Sequence, residues 1–202
     1  MIAIIDYGVG NLFSLKSSLE SVGADAVVTG DEAFIKSADK IVLPGVGAFR
    51  DAANKLKKTH MDDVVYEMAQ RGKPLLGICL GMQLLFEKSY EYGEYDGLGL
   101  LKGNIRPIAN VIPMDLSIPH IGWNSLDIKK TSQLYENVDN GEYVYFVHSY
   151  YAADCDECVT ATADYGAPLT ASVEHENVFG CQFHPEKSGK TGMKILKAFC
   201  SL

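Results

Sequence analysis

The sequence predicts an α/β protein: one domain over residues 1–202, with a central mixed, largely parallel sheet flanked by helices. Through the N-terminal half, short β-branched runs alternate with amphipathic stretches, which is typical of βα units that build a parallel sheet. After Gly97 the extended runs follow one another closely, which indicates antiparallel or mixed pairing. A length of 202 residues with 47% apolar and 22% charged side chains fits one globular domain.

The elements of the N-terminal half follow from the spacing of apolar residues. Strands are predicted at residues 2–5, 26–28, 40–43 and 74–78. Helical spacing joins Leu12, Leu15, Leu19 and Val22, and again Val64, Val65, Met68 and Ala69. We expect these two apolar faces to pack on the sheet.

The C-terminal half is predicted to be mostly extended and to end in a helix. The strand candidates are residues 105–108, 123–128, 143–147, 159–163, 169–173 and 178–183. A last helix over residues 190–199 carries Met193, Leu196 and Phe199 on one side, so it should cover the sheet.

The charge of the chain argues against several classes of partner. The 18 basic and 26 acidic side chains give a net charge of −8, which repels nucleic acid and anionic lipid. No apolar run approaches the ~20 residues that span a bilayer, and Asp6 interrupts the first strand where a signal peptide would be apolar. We therefore expect a cytoplasmic protein that binds neither nucleic acid nor membrane.

The five cysteines are expected to be free thiols, because the count is odd and no export signal is present. Cys155 and Cys158 form a C-x-x-C, which is a weak metal or redox signal by itself. A zinc site would need a second pair of ligands at similar spacing, and Cys181 and Cys200 do not supply it. We predict a polar turn before a strand there, and no metal or organic cofactor.

A glycine-rich segment after the first strand, Gly8-Val9-Gly10-Asn11-Leu12-Phe13, suggests a dinucleotide-binding loop as an alternative. Phe13 replaces the third glycine of that motif, and no acidic residue closes a second strand at the expected distance. A tight turn from strand to helix is the better interpretation.

The most informative segment is the elbow Gly77-Ile78-Cys79-Leu80-Gly81, which follows an apolar run and precedes a helical stretch at residues 82–87. Its two glycines permit a sharp turn that presents the middle side chain as a nucleophile. A helix N-terminus favours the thiolate of Cys79, and the Leu80 N–H is placed to stabilise an oxyanion. Gln83 follows one turn later, near a bound substrate. The alternative is a buried structural cysteine.

His184 is the best candidate for the catalytic base among the five histidines. It ends a predicted strand in His184-Pro185-Glu186, and in extended backbone residues i and i+2 project to the same side. Glu186 can therefore orient the ring and stabilise the imidazolium. His60 lies in a charged stretch that suggests a solvated position, and His175 lies between two predicted strands in a segment typical of a hairpin turn.

Together, the cysteine elbow and the His-Pro-Glu segment resemble the class I glutamine amidotransferases, and within that family the glutaminase subunits of imidazole glycerol phosphate synthases. The further matches span the chain and are Asp6-Tyr7-Gly8-Val9-Gly10-Asn11, Pro44-Gly45-Val46-Gly47-Ala48-Phe49, Pro119-His120-Ile121-Gly122-Trp123-Asn124, His148-Ser149-Tyr150-Tyr151 and Lys187-Ser188. Residues 90–96 and 154–158 depart from any pattern with a known role.

The resemblance implies hydrolysis of L-glutamine to glutamate and ammonia through a thioester on Cys79. Val46 would supply the second oxyanion N–H, and glycines on both sides would let that peptide flip, so the oxyanion hole is expected to need a partner to form. Gly47, Gln83, Ser149 and Tyr150 are the expected substrate-binding residues.

The resemblance also implies a separate partner, a (β/α)8 cyclase subunit that uses the ammonia in histidine biosynthesis. Trp123 is the first candidate for the docking face, since tryptophan is favoured in interface hot spots. Its alternative is packing in the core. Asn11, His120 and Lys187 are further candidates for this interface.

Three other functions remain open from the residues alone. A glutaminase serving another synthase, such as anthranilate or GMP synthase, shares both segments. A cysteine peptidase-like hydrolase would cleave its substrate without a partner. In a non-catalytic binding module, Cys79 would be merely structural. The order of histidine before carboxylate argues against an esterase or lipase.

Overall fold

The computed structural model describes residues 1–202. Its strands are Ile2–Ile5 (β1), Ala26–Thr29 (β2), Lys40–Leu43 (β3), Leu75–Ile78 (β4), Phe86–Ser89 (β5), Tyr95–Asp96 (β6), Leu101–Pro107 (β7), His120–Ser125 (β8), Asp127–Ile128 (β9), Tyr143–His148 (β10), Tyr150–Ala153 (β11), Val159–Asp164 (β12), Pro168–His175 (β13) and Val178–Cys181 (β14). Its α-helices are Leu12–Ser21 (α1), Glu32–Ser37 (α2), Phe49–Lys58 (α3), Met61–Gln70 (α4), Leu80–Leu84 (α5) and Gly189–Ser201 (α6).

An eight-stranded sheet in the order β2-β1-β3-β4-β14-β13-β12-β9 forms the centre of the molecule. The first five strands of that order are parallel, and the pairs from β14 through β9 are antiparallel. β14 joins the two halves because it pairs in parallel with β4 and antiparallel with β13. The predicted fold class, a mixed and largely parallel sheet flanked by helices, is confirmed.

Two apolar cores lie on the two faces of this sheet. One contains Phe49, Val65 and Met68 from α3 and α4, together with the buried side of α5. The other contains Leu15 and Leu19 from α1 and the apolar side of α6. The helical apolar faces seen in the sequence therefore pack on the sheet as predicted.

Side-chain caps fix the starts of two N-terminal helices. The Asn11 side chain accepts a hydrogen bond from the Ser14 N–H at 3.4 Å and caps α1. Asp31 does the same for α2, at 2.7 Å from the Phe34 N–H. Asn11 and Asp31 are thus placed as helix caps rather than as groups around a dinucleotide.

The helix predicted over residues 82–87 is shorter, because α5 ends at Leu84 and β5 begins at Phe86. The carbonyls of Leu84 and Leu85 accept hydrogen bonds from the N–H groups of Leu98 and Leu100 instead of continuing the helix. β5 then pairs with β6 and β7 in a second sheet of order β11-β7-β5-β6. Hydrogen bonds to residues more than ten positions away therefore determine where α5 ends and β5 begins.

Other boundaries differ from the predictions for similar reasons. The strand predicted over 178–183 ends at Cys181, and the one predicted over 123–128 is broken at Leu126 into β8 and β9. β7 starts at Leu101 and ends in a 3₁₀ turn that begins at Ile108, so the strand predicted at 105–108 is displaced. Helices α2 and α3 were not predicted at all.

β8 and β10 form a separate antiparallel ribbon. Alternation places Ile121, Trp123 and Tyr143 on its exposed side, while Phe146 and His148 project from the opposite side and are buried. Trp123 is 54% exposed, so the alternative that it packs in the core was wrong.

None of the helices is both long and apolar enough to cross a membrane.

We predict that Gly81→Ala lowers the free energy of unfolding by about 3 kcal/mol or more, measured by urea denaturation, because overpacking against backbone is costly. A Cβ at residue 81 would lie 1.9 Å from the Leu43 carbonyl oxygen, which neither chain segment can accommodate without moving. Ser17→Ala, at an exposed position of α1, is the control, and its effect should stay within about 0.5 kcal/mol. Equal stability of the two variants would contradict the close contact.

Candidate active site

Cys79 occupies a strained turn between β4 and α5, with φ 54° and ψ −113°. This is unusual backbone for a side chain with a Cβ, and such strain clusters at active sites. The turn is held by two hydrogen bonds: the Cys79 N–H donates to the Cys181 carbonyl at 2.7 Å, and the Gln83 N–H donates to the Cys79 carbonyl at 3.2 Å. The cysteine predicted as the nucleophile therefore lies at a constrained helix N-terminus.

The glycines of the elbow serve close packing rather than unusual dihedral angles. A Cβ at Gly77 would lie 2.7 Å from the Met82 Cα, and one at Gly81 would collide with the Leu43 carbonyl. The positive φ falls on Cys79 itself. The expectation that the glycines supply the turn conformation is corrected accordingly.

The backbone of His184 is fixed by the neighbouring ribbon and by Ser188. Its N–H donates to the Tyr145 carbonyl at 3.0 Å, and the Ser188 hydroxyl donates to the His184 carbonyl at 2.6 Å. The Tyr145 N–H donates to the same hydroxyl at 2.9 Å. Pro185–Lys187 is a 3₁₀ turn, so the extended backbone predicted for His184-Pro185-Glu186 is wrong although the predicted contact is present.

His184 and Glu186 form a buried pair, with 2.7 Å between Nδ1 and Oε1 and 4% side-chain exposure for each. Burial lowers the pKa of His184, but the Cys79 sulfur and the Glu186 carboxylate outweigh it and raise the pKa to about 9. The His184 ring therefore lies close to both side chains that the sequence groups with it. The arrangement can deliver and remove a proton at the sulfur.

The loop after β3 packs directly against the elbow. A Cβ at Gly45 would lie 2.7 Å from the Gly81 nitrogen, while the Tyr7 hydroxyl donates to the Pro44 carbonyl at 2.8 Å. Val46 is 44% exposed and Gly47 has φ 93°. Leu80 is the first residue of α5, so its N–H has no intrahelical acceptor. The two predicted oxyanion donors are carried by segments in contact.

Gln83 is buried and makes two hydrogen bonds inside the protein. Its Nε2 donates to the Tyr150 carbonyl at 3.2 Å and to Gln182 Oε1 at 2.9 Å. Gln182, fully buried, in turn donates to Cys79 Sγ at 3.8 Å. Gln182 was not predicted as a site residue, because its only signal in the sequence is one polar side chain within an apolar run.

Two histidines extend this network towards the exposed ribbon. His120 Nδ1 lies 2.9 Å from His148 Nε2, and His148 Nδ1 lies 2.9 Å from the Tyr150 carbonyl. Burial lowers the pKa of His148 to about 4, so the ring is neutral, and its Nδ1–H donates to that carbonyl while Nε2 accepts from His120. His120 is 3% exposed, so the prediction that its side chain contacts a partner is wrong for this conformation.

The remaining substrate-binding candidates in this part of the chain are Ser149 and Tyr150. Ser149 and Tyr150 are half-buried, and the Tyr150 and Tyr92 ring centroids are 6.2 Å apart. Residues 90–96, which matched no pattern in the sequence, contribute Glu91, whose Oε2 accepts from the Phe49 N–H at 2.5 Å. Burial raises the pKa of Glu91. This carboxylate lies at the start of α3, directly after the loop that carries Val46 and Gly47.

The predicted interface residues fall on the surface with one exception, His120. Lys187 and Asn11 are exposed, as is Trp123, whose ring packs edge-to-face on Tyr145 with 6.0 Å between centroids. Because the Tyr145 carbonyl accepts a hydrogen bond from the His184 N–H, only Tyr145 separates Trp123 from the backbone of His184.

Comparison with known proteins agrees with this geometry. A model of the family "Glutamine amidotransferase class-I" matches residues 3–201. The chain belongs to the class I glutamine amidotransferases. This amidotransferase is 48% identical over 200 residues to the imidazole glycerol phosphate synthase subunit HisH of Oceanobacillus iheyensis, with 98% of each chain covered. It is 52% identical to the same subunit of Caldanaerobacter subterraneus, covering 98% and 97% of the two chains.

Solved structures support the fold of this amidotransferase. One glutamine amidotransferase superposes with a TM-score of 0.77 at 17% identity, and all of both chains is covered. PurLQS from Thermotoga maritima gives a TM-score of 0.74 at 21% identity, with 99% and 97% of the chains covered. At these identities the likeness concerns the fold alone.

We predict that Glu186→Gln flattens the pH dependence of the amidotransferase's stability on the alkaline side. The folded-state pKa of His184, about 9, exceeds the usual 6.5, so its stabilising contribution is complete below pH 6.5 and is lost as the pH rises to 9. Removing the carboxylate lowers the folded-state pKa and shrinks that loss.

Urea denaturation at several pH values between 6 and 10 measures this effect. Glu136→Gln, at an exposed position, is the matched control and should follow the unsubstituted protein. An alkaline decline as steep in Glu186→Gln as in the control would contradict the assignment.

Proposed function

We propose that this chain hydrolyses L-glutamine to glutamate and ammonia through a thioester on Cys79. It would deliver the ammonia to a cyclase subunit that makes imidazole glycerol phosphate and an aminoimidazole carboxamide ribotide in the cytoplasm, as part of histidine biosynthesis. The single observation that carries the chemistry is the placement of the His184 ring, which is bonded to Glu186 and lies close enough to the Cys79 sulfur for that sulfur to raise its pKa. The identity of about half to HisH subunits supports the pathway and favours it over anthranilate or GMP synthesis.

In the proposed mechanism, the Cys79 thiolate attacks the γ-carboxamide carbon of glutamine and forms a tetrahedral oxyanion. His184, protonated at neutral pH because of its raised pKa, donates a proton to the leaving ammonia as the C–N bond breaks. The neutral ring then removes a proton from water, which attacks the thioester. Glutamate leaves, and Cys79 is restored. Glu186 holds the ring and balances its charge throughout.

The oxyanion would be held by the Leu80 N–H and by the Val46 N–H. The first belongs to the rigid elbow, while the second belongs to an exposed residue between Gly45 and Gly47. Loss of one such donor costs about 10²–10³ in rate. A flip of the Val46 peptide could therefore switch the reaction on when the partner binds. The residues proposed to contact glutamine are Gly47, Gln83, Ser149 and Tyr150. In Gln83 the side-chain amide nitrogen is already bonded, and the side-chain amide oxygen is available for hydrogen bonds with the substrate.

The proposed partner is a (β/α)8 cyclase that docks on the exposed face of the β8–β10 ribbon. That face carries Ile121, Trp123 and Tyr143, which are 58%, 54% and 58% exposed. Exposed apolar groups of this size on one surface are typical of protein interfaces. Asn11 and Lys187 are proposed for its polar rim.

We predict that Cys79→Ala lowers glutamine-dependent synthesis by the complex at least about 10⁴-fold, because the nucleophile is lost. Ammonia-dependent synthesis should remain unchanged, since the cyclase needs only the nitrogen. Both rates are measured with the purified chain and cyclase by following product formation from either nitrogen source. Glutaminase activity that persists in Cys79→Ala would overturn the mechanism, and a partner other than a cyclase in the native complex would overturn the pathway.

We predict that Trp123→Ala raises the Kd for the cyclase by about tenfold or more, as expected for truncation of a hot spot. Isothermal titration calorimetry with the purified cyclase measures this. Tyr66→Ala is the control, because Tyr66 is also exposed, at 47%, but lies on α4 across the central sheet. If both variants bind as tightly as the unsubstituted chain, the ribbon is not the docking face.

A further inference from the structure

The turn between β11 and β12 brings together two thiols that the proposed reaction does not use. The Cys158 N–H donates to the Cys155 carbonyl at 3.0 Å, and the Cys158 thiol donates to the same carbonyl at 3.3 Å. A turn closed in this way holds its first and fourth Cα atoms within about 7 Å. Disulfides join Cα atoms about 4.4–6.8 Å apart, so the two cysteines are spaced for one.

A cavity gives small molecules access to this pair. Its volume is about 660 Å³, and it is lined by residues 99–102 and 154–158 together with His175. Although Cys155 and Cys158 are only 5% and 7% exposed, both belong to its wall. The Cys155 sulfur also contacts Thr170 of β13, with 3.9 Å between Sγ and the Thr170 Oγ1. The cavity therefore admits a small reagent to the two cysteines.

The charges around the turn make the two thiols unequal. Lys130 Nζ donates to the Asp156 and Glu157 carbonyls at 2.9 Å each, which clamps the turn and places a positive charge beside it. The neighbouring Cys155 thiol and the Lys130 ammonium lower the pKa of Cys158, with burial and the Glu157 carboxylate acting in the opposite direction, whereas the Cys158 sulfur and burial raise the pKa of Cys155. Cys158 is therefore the more readily ionised thiol of the two.

We propose that Cys155 and Cys158 are a peroxide-reactive dithiol that closes reversibly to a disulfide. The Cys158 thiolate attacks one oxygen of hydrogen peroxide, the O–O bond breaks, and the departing hydroxide takes a proton to become water. The resulting sulfenic acid is attacked by the Cys155 sulfur; the S–S bond forms, and the hydroxyl leaves as water with the Cys155 proton. The two thiols thus supply the two electrons that reduce the peroxide.

The acidic surroundings favour a neutral oxidant over an anionic one. The side chains of Asp154, Asp156 and Glu157 line the cavity, and they repel anionic disulfides such as oxidised glutathione. No third His, Cys, Asp or Glu side chain is grouped with the pair as a metal ligand. A peroxide, which is small and uncharged, fits both the access and the electrostatics.

The test uses the full chain with Cys79→Ala, which removes the competing nucleophile. After timed treatment with hydrogen peroxide, the remaining free thiols are alkylated with a maleimide. The mass of the peptide that carries residues 155–158 is then measured by mass spectrometry. We expect that peptide to lose two hydrogens and both alkylation sites at least about tenfold faster than Cys200 is oxidised, because the thiolate is the reacting species. Dithiothreitol should restore both thiols.

Two further variants in the same background separate the roles of the sulfurs. The Cys155→Ser variant should keep a sulfenic acid on Cys158, which dimedone traps. In the Cys158→Ser variant, the remaining Cys155 thiol should be oxidised no faster than Cys200, which is half-buried and has a raised pKa. The Cys79→Ala protein with both cysteines intact decides by itself whether the disulfide forms rapidly. A poorly folded double variant therefore leaves that result unaffected. The proposal is overturned if both thiols are still alkylated once Cys200 is oxidised, or if oxidised glutathione reacts faster than peroxide.

Discussion

The contact between the ends of β3 and β4 is the constraint on which the site depends. The Gly81 Cα lies so close to the Leu43 carbonyl that a side chain at residue 81 has no space. A side chain at residue 45 would likewise collide with the Gly81 nitrogen. Adjacent parallel strands put their carboxyl ends at one edge of the sheet, so their loops must share that edge. The nucleophile and the loop that carries Val46 are consequently parts of one packed unit.

A second constraint positions the base from the other side of β4. β14 pairs with β4, and the Cys79 N–H is bonded to the Cys181 carbonyl at the end of that pair. The chain leaves β14 through Gln182 towards His184, whose backbone is held by Tyr145 and Ser188. Cysteine and histidine are thus set by two neighbouring strands rather than by a flexible loop, which is what proton transfer over a fixed distance requires.

The local patterns predicted most of the central sheet and the grouping of Cys79, His184 and Glu186, because both are encoded within a few neighbouring residues. β1 and β3 were predicted with correct ends, and the three side chains lie in short segments whose spacing brings them together. The first two residues of β5 were predicted as helix, but their carbonyls bond to residues a dozen positions later. Gln182 left no interpretable signal, since one glutamine in an apolar run acquires its meaning only when Gln83 and Cys79 are placed around it.

The same network connects the exposed ribbon with the sulfur of Cys79. From the ribbon, hydrogen bonds run through His120 and His148 to the Tyr150 carbonyl, and Gln83 and Gln182 continue from that carbonyl to the sulfur of Cys79. Because His148 is uncharged, its Nε2 accepts from His120 and its Nδ1–H donates to the Tyr150 carbonyl, which also accepts from Gln83. A partner that shifts the ribbon moves a carbonyl to which both the histidines and Gln83 are bonded. If the partner docks on the ribbon as proposed, the energy of docking has a physical path to Cys79 that is separate from the Val46 loop.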